Sequence, residues 1–169
     1  MKLTEKYRPR SLDEIVGQPA IGAIKGFAAM PRNECLLFEG PGGTGKTTAA
    51  LVLACELGAD SGFPGVDYQN CSRLTLLVAE EIVKYSRCML GCPNRQHWHF
   101  IILEEMERLN VDVLNFLKTG LEVDLGERAI VVATSNDTSA IRGKDMWFMQ
   151  RFQRFEFSGG PEFHKACST

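Results

Sequence analysis

Eight residues, Gly40-Pro41-Gly42-Gly43-Thr44-Gly45-Lys46-Thr47, constrain the fold of this chain more than any others. They stand between an apolar run, Leu36-Leu37-Phe38, and an Ala/Leu/Val-rich run, Thr48 to Leu57, that reads as helix. A strand that turns through glycines into a helix aims several backbone N–H groups at one point, at the positive end of the helix. That geometry suits a phosphate chain. Lys46 adds a point charge for β- and γ-phosphates, and the Thr47 hydroxyl can reach Mg²⁺. Gly42, Gly43, Thr44, Gly45, Lys46, Thr47 and Thr48 are therefore the candidate phosphate-binding residues. A glycine-rich turn that merely caps a helix is the plainer alternative, but the strand before it and the helix after it favour the phosphate loop.

The rest of the chain is compatible with one domain built around that loop. Its 169 residues can enclose a sizeable core, and 44% hydrophobic with 24% charged residues is ordinary for a globular protein. A net charge of −2 gives no general basic field, so any contact with DNA must come from a local patch or from an assembly. No apolar run approaches the ~20 residues of a membrane span, and the N-terminus lacks a secretory apolar segment. The expectation is an intracellular protein, cytoplasmic or nuclear, neither secreted nor membrane-bound. The six cysteines are then expected to be reduced.

Taken in order, Ser11-Leu12-Asp13-Glu14 has the form of a capping box, with Ser11 at N-cap and Glu14 at N3. Gly17 ends that turn, and Pro19 opens a helix that runs to about Met30. Gly58 closes the helix after the loop. Val66 to Gln69 reads as a short strand. From Leu74, the positions Leu74, Leu77, Val78, Ile82 and Tyr85 follow helical spacing as an inward face, with Glu80 and Lys84 outward. His99 to Leu103 is an unbroken strand of the kind found inside a parallel sheet. Asn110 caps a helix from Val111 to about Leu121. Ala129 to Ala133 is a further strand, Ile141 to Met149 a helix, and Arg154 to Phe157 a last strand. Alternation of strands with helices implies βαβ units and a central parallel five-stranded sheet flanked by helices, an α/β three-layer domain.

Nucleotide hydrolysis needs more than a phosphate loop: a carboxylate near Mg²⁺, a group to orient water, and positive charge for the transition state. The strand Phe100 to Leu103 ends in Glu104-Glu105, and ligands of a parallel sheet bind beyond the carboxyl ends of its strands. This is the Walker B arrangement, with Glu104 for the Mg²⁺ shell and Glu105 for the attacking water. The strand Ile130 to Ala133 runs into Thr134-Ser135-Asn136, which brings the Asn136 amide beside the γ-phosphate.

Together these pieces resemble the AAA+ ATPases, and within them the clamp-loader small subunits of the replication factor C type. The resemblance is carried by Glu5-Lys6-Tyr7-Arg8-Pro9-Arg10-Ser11-Leu12-Asp13-Glu14-Ile15-Val16-Gly17-Gln18, by Leu36 to Leu57, by Asn70-Cys71-Ser72, by the Walker B strand and by Asn136; it covers residues 4–158. It implies a P-loop NTPase domain over residues 1–158, with a short tail, 159–169, expected to be partly disordered. It implies an adenine-side pocket of Tyr7, Arg8, Pro9, Ile15, Val16 and Gly17, catalytic roles for Lys46 and Glu105, and Asn136 as sensor 1. The family's arginine finger, which reaches a neighbouring subunit's ATP, falls at Arg151 within Gln150-Arg151-Phe152. Three departures stand out: Glu104 where the family has Asp, the replaced Ser and Cys of the finger motif, and no room after Phe157 for the family's helical lid and collar.

The resemblance implies an ATPase using ATP/ADP and Mg²⁺, working in a ring with other AAA+ subunits, a sliding clamp and primed DNA in replication. Its rivals are a non-hydrolysing nucleotide-binding assembly subunit and another AAA+ DNA remodeller such as a branch-migration motor. One further cluster, Cys88, Cys92, His97 and His99, has zinc-ligand residue types. Its irregular spacing, with His97 and His99 at the entry to a strand, favours reduced thiols over zinc.

Overall fold

The computed structural model describes residues 9–59, 65–88, 98–123 and 125–159. Five strands, β1 (Glu34–Glu39), β2 (Val66–Asn70), β3 (His99–Glu104), β4 (Ala129–Ser135) and β5 (Phe152–Glu156), form one sheet in the order β2-β3-β4-β1-β5. Every neighbouring pair is parallel. Among the described residues the α-helices are α1 (Ala20–Ala29), α2 (Lys46–Glu56), α3 (Leu76–Cys88), α4 (Val111–Val123), α5 (Ser139–Lys144) and α6 (Met146–Met149).

The sheet is covered on both faces, and strand alternation sorts the core into two halves. Leu36, Phe38, Phe100, Ile102, Ile130 and Val132 pack on one face with α1 and α2. Cys35, Leu37, Ile101, Leu103, Val131 and Ala133 pack on the other with α3, α4 and α5. Consecutive residues of the central strands thus belong to opposite cores, which is why β1, β3 and β4 read as unbroken apolar runs. Phe155 of β5 and Phe157 just after it close on Phe38, with ring centroids 5.6 and 5.3 Å apart. No helical bundle follows β5 among the described residues.

Local signals held where a side chain could complete a backbone bond nearby. The Asn110 amide oxygen accepts from the Val113 N–H at 2.8 Å and caps α4. Gly58, at φ 77°, closes α2: its N–H reaches the Cys55 carbonyl at 3.1 Å, and the Ala59 N–H reaches Ala54 at 2.9 Å.

Three expectations are corrected. Ser11 occupies the N-cap of a single 3₁₀ turn, Leu12–Glu14, but its side chain makes no cap bond. Glu14 instead accepts from the Arg10 N–H at 2.8 Å, and the Leu12 N–H goes to Glu56 of α2 at 2.7 Å, so a tertiary bond replaces the capping box. On α3 the inward residues are Ala79, Ile82, Val83 and Ser86, whereas Leu77 and Tyr85 lie on the surface. The helix sits about a third of a turn from the expected orientation, with Ile82 common to both faces and the Ser86 hydroxyl accepting from the Gly126 N–H in the turn before β4. Residues 139–149 form two short helices, not one. Asp145 breaks them: its carboxylate accepts from the Phe148 N–H at 3.0 Å and pairs with Lys118 of α4.

Two glycine classes give opposite expectations. A Cβ at Gly126 would lie 2.0 Å from the Ser86 carbonyl oxygen, while Gly22 and Gly26 of α1 have open space around them. Gly126→Ala should cost roughly 1–3 kcal/mol in urea unfolding through overpacking. Gly22→Ala and Gly26→Ala should each stabilise by about 0.5–1 kcal/mol, the usual gain inside a helix. The thiols are equally distinguishable. Burial pushes the Cys35 and Cys71 thiols up to about 12, helped by Glu34 at Cys35 and by Glu107, Glu104 and Glu105 at Cys71. Both should resist thiol reagents at pH 8 until the chain unfolds, while exposed Cys55 reacts, as peptide mapping will show. Because the native thiols stay protonated where unfolded ones ionise, each withdraws stability as pH rises from 9.0 towards about 12.

Candidate active site

β4 lies between β1 and β3, so the loop after β1, the acids ending β3 and the residues after β4 converge at one edge of the sheet. The Gly40 N–H donates to the Ser135 carbonyl at 3.2 Å and fixes the start of the loop against β4. The result is a cleft of about 390 Å³ walled by Gly42, Gly43, Gly45, Lys46, Thr47 and Thr48, by Glu104 and Glu105, and by Thr134, Ser135 and Asn136. Thr44 braces the loop from within, its hydroxyl donating to the Pro41 carbonyl at 2.8 Å. Gly45, at φ 88°, turns the chain into α2, whose first N–H groups face the cleft.

Lys46 is buried, and its ammonium donates to the Gly40 and Pro41 carbonyls, each at 2.7 Å, and to the Asn136 amide oxygen at 3.1 Å. All three of its donors are used. Burial lowers its pKa below the ordinary lysine value, and the Glu107 carboxylate opposes that shift. Charged oxygens would be stronger partners for the same ammonium than these neutral ones.

The Thr47 hydroxyl donates to one Glu104 oxygen at 2.9 Å. Tyr68 donates its hydroxyl to the other, and the Asn70 amide lies 3.5 Å from it. Thr47 and Glu104 thus present adjacent oxygens, and among the described residues no cluster of three or more metal-binding acids, histidines or cysteines is found. Sparse oxygen donors fit Mg²⁺, which keeps most of its waters and binds through one or two protein oxygens plus phosphate. The extra methylene of Glu104 does not prevent its reaching Thr47.

Glu105 has a left-handed backbone, φ 57° and ψ 51°, at a cost of about 1–2 kcal/mol for a residue with a side chain. Its carboxylate lies 3.3 Å from both the Asn70 amide and the Arg108 guanidinium, and its N–H faces the Thr134 hydroxyl at 3.4 Å. Asn136 is held by Glu107, which accepts from the Asn136 backbone at 3.3 Å, its amide at 3.2 Å and the Ser135 hydroxyl at 2.8 Å.

The other site candidates lie elsewhere. Pro9, Ile15, Val16 and Gly17 do not line the cleft; Ile15 packs on the α1–α2 core and Val16 is exposed. Tyr7 and Arg8 lie outside the described residues. Arg151 is on the far side of β1, pairing with Glu122 and donating to the Lys118 carbonyl of α4. Arg154 pairs with Glu39 at 2.5 Å and Glu156 at 3.0 Å. For the zinc reading, Cys92, His97 and the Cys88 side chain lie outside the described residues, and His99 is buried with its Nε2 on Asp67 at 2.8 Å.

Sequence reading missed several residues. Asn70 and Glu107 were within reach of it: one ends a strand, the other is a third acid within four residues, both at the carboxyl edge where ligands bind. Glu39 had no such signal. Buried at the end of β1, it accepts from the Thr138 hydroxyl at 2.6 Å and pairs with Arg154, tying the loop's root to β5.

A glycine cradle leading into a helix, with carboxylates on the next strand but one across a parallel sheet, defines a P-loop nucleotide-binding domain. The particular family follows: residues 36–159 match the ATPases associated with various cellular activities, and the chain belongs to that AAA family. It is similar to the replication factor C small subunit of Archaeoglobus fulgidus, 36% identical over 124 residues, 70% of this chain and 38% of that protein. The corresponding subunit of Thermofilum pendens is 38% identical over 123 residues, 70% of this chain and 37% of that one. The chain thus spans little more than a third of the length of these curated relatives. Its fold matches a Thermotoga maritima RuvB (TM-score 0.65, 20% identity, 89% of this chain, 48% of that one). It also matches a DNA polymerase III gamma subunit-related protein of the same organism (TM-score 0.65, 14% identity, 85% of this chain, 47% of that one).

Glu107 hydrogen-bonds to Ser135 and Asn136 and acts on Lys46 through its charge, so its loss bears first on the amide's placement. Glu107→Ala should lower single-turnover ATP hydrolysis about tenfold, the size expected for one misplaced transition-state contact, and change the affinity for a fluorescent nucleotide less than about twofold.

Proposed function

We propose that this chain is the ATP-binding and ATP-hydrolysing motor domain of a clamp-loader-type AAA+ protein, with residues 1–158 as its nucleotide-binding unit. The observation that carries the reading is the convergence of Lys46, Thr47, Glu104, Glu105 and Asn136 on one cleft, in a chain similar to replication factor C small subunits. Lys46 and the loop amides hold the phosphates. Thr47 and Glu104 are the oxygens that would hold Mg²⁺, which neutralises phosphate charge when bound. Glu105 accepts a proton-bearing edge of the attacking water, and Asn136 orients the γ-phosphate.

Among the described residues that line the cleft, Lys46 is the cation, and Arg108 stands behind Glu105. The remaining positive charge comes from a neighbouring subunit, and Arg151 is the side chain assigned to it. Its guanidinium leaves Glu122 and the Lys118 carbonyl to enter the neighbour's site. In this reading the partners are other AAA+ subunits in a ring, a sliding clamp and primed DNA, inside the cell. The adenine side is completed by Tyr7, Arg8, Pro9, Ile15, Val16 and Gly17. A non-hydrolysing role is the second reading, favoured by the hold of Asn70 and Arg108 on Glu105.

The test is ATP turnover with primed DNA and a cognate clamp, in wild type, Lys46→Ala, Glu105→Gln and Arg151→Ala. Wild type should be stimulated and each variant reduced at least tenfold. Mixing Lys46→Ala with Arg151→Ala should recover part of the activity, since one supplies an intact finger and the other an intact cradle. No recovery on mixing removes Arg151 from the trans role. Turnover of the assembly left unchanged by Glu105→Gln supports the non-hydrolysing reading instead.

A further inference from the structure

Each oxygen of the Glu104 carboxylate accepts from a hydroxyl of a different element. One oxygen takes the Thr47 hydroxyl at 2.9 Å, from the first turn of α2. The other takes the Tyr68 hydroxyl, from the edge strand β2. The Asn70 amide, 3.5 Å from that second oxygen, is at the limit of a hydrogen bond and cannot fix it alone. We infer that Tyr68 is a positioning residue for Glu104, fitted to the longer carboxylate this chain carries in the metal position. The assignment rests on the proposed nucleotide site.

The register explains how Tyr68 reaches. Tyr68 pairs with Ile102 and Asn70 with Glu104, so Tyr68 and Glu104 share a sheet face as diagonal neighbours. Diagonal neighbours are too far apart for short side chains but within reach of an aromatic one. Ile102 belongs to the core under α2, so this is the face on which Thr47 stands. A glutamate has one more rotatable bond than an aspartate and sweeps a wider arc. Holding both of its oxygens removes that freedom and leaves one lobe on Thr47, where Mg²⁺ would sit. An aspartate, one methylene shorter, would reach Thr47 or Tyr68 but not bridge them. Tyr68 and Glu104 are therefore matched in length, and the phenol donates to a charged acceptor, the stronger kind of hydrogen bond.

The proposal predicts an effect that depends on metal and on the length of residue 104. Nucleotide binding to the whole chain is measured by calorimetry, with ADP in excess Mg²⁺ and with ADP in EDTA, for wild type, Tyr68→Phe, Glu104→Asp and the double variant. Tyr68→Phe should weaken binding about fivefold or more in Mg²⁺, the loss of one charge-assisted bond, and less than about twofold in EDTA. In the Glu104→Asp background the same change should cost less than about twofold under both conditions, since the shorter acid no longer meets the phenol. Equal losses with and without Mg²⁺ would show a merely structural tyrosine and overturn the assignment. So would no loss at all, or an undiminished loss in the Glu104→Asp background. A wild-type chain that binds no ADP under either condition overturns the nucleotide site itself, and the role of Tyr68 with it.

Discussion

A buried ammonium must be surrounded by acceptors, and the architecture of this site answers that requirement. Lys46 has lost most of its contact with water, and three oxygens replace it: two carbonyls of its own loop and the Asn136 amide. Two of those oxygens are local, supplied by the turn that the glycines permit. The third comes from a residue ninety positions away. That distant oxygen is in place only because β4 is inserted between β1 and β3, and because Glu107 holds the Asn136 amide from the turn after β3. The cation of the loop, the amide after β4 and an acid after β3 form one chain of polar contacts. Neutral oxygens suffice to keep the ammonium buried and are weak enough to be exchanged for phosphate.

The carboxylates follow a related logic. Glu104 and Glu105 are adjacent in sequence and face different partners: Glu104 meets Thr47 and Tyr68, and Glu105 turns away through a left-handed backbone toward Asn70 and Arg108. Two acids at one strand end would repel if they shared one space. The reversal of the backbone at Glu105 separates them and gives each a different neighbour. Asn70 lies between the two, its amide within 3.5 Å of both. Behind the loop, Glu39 joins Thr138, Arg142 and Arg154, so the root of the cradle, the turn after β4 and the β5 strand are tied together. Arg151, three residues before Arg154, is anchored at the other end of that strand on α4.

Much of the fold was legible because its signals are local. Unbroken apolar runs at β1, β3 and β4 announced strands buried on both faces, and all three are interior in the sheet. Asn110 and Gly58 marked helix ends because each completes a backbone bond within a few residues. The signals that failed were those a distant partner could outbid. Ser11 and Glu14 have the spacing of a capping box, but Glu56 takes the Leu12 N–H. Leu77 and Tyr85 have helical spacing with Ile82, yet Ala79 and Ser86 face inward, where the Ser86 hydroxyl accepts from the distant Gly126 N–H at 3.1 Å. Asp145 breaks a continuous helical pattern because Lys118 and the Phe148 N–H both claim its carboxylate.

By itself the sequence determined the cradle and its chemistry: glycines where the backbone must turn through positive φ, a lysine and a threonine at fixed offsets, and acids at the end of an apolar strand. Those features depend on contacts within a few residues, which spacing encodes directly. The tertiary structure decided which acid faces the threonine, that Tyr68 and Asn70 reach the carboxylates, that Glu107 holds Asn136, and that Arg151 rests on α4 outside its own cleft. Each depends on strand order and register, set by the packing of two cores against one sheet. A change of one residue in register would carry Tyr68 to the opposite face, away from Glu104.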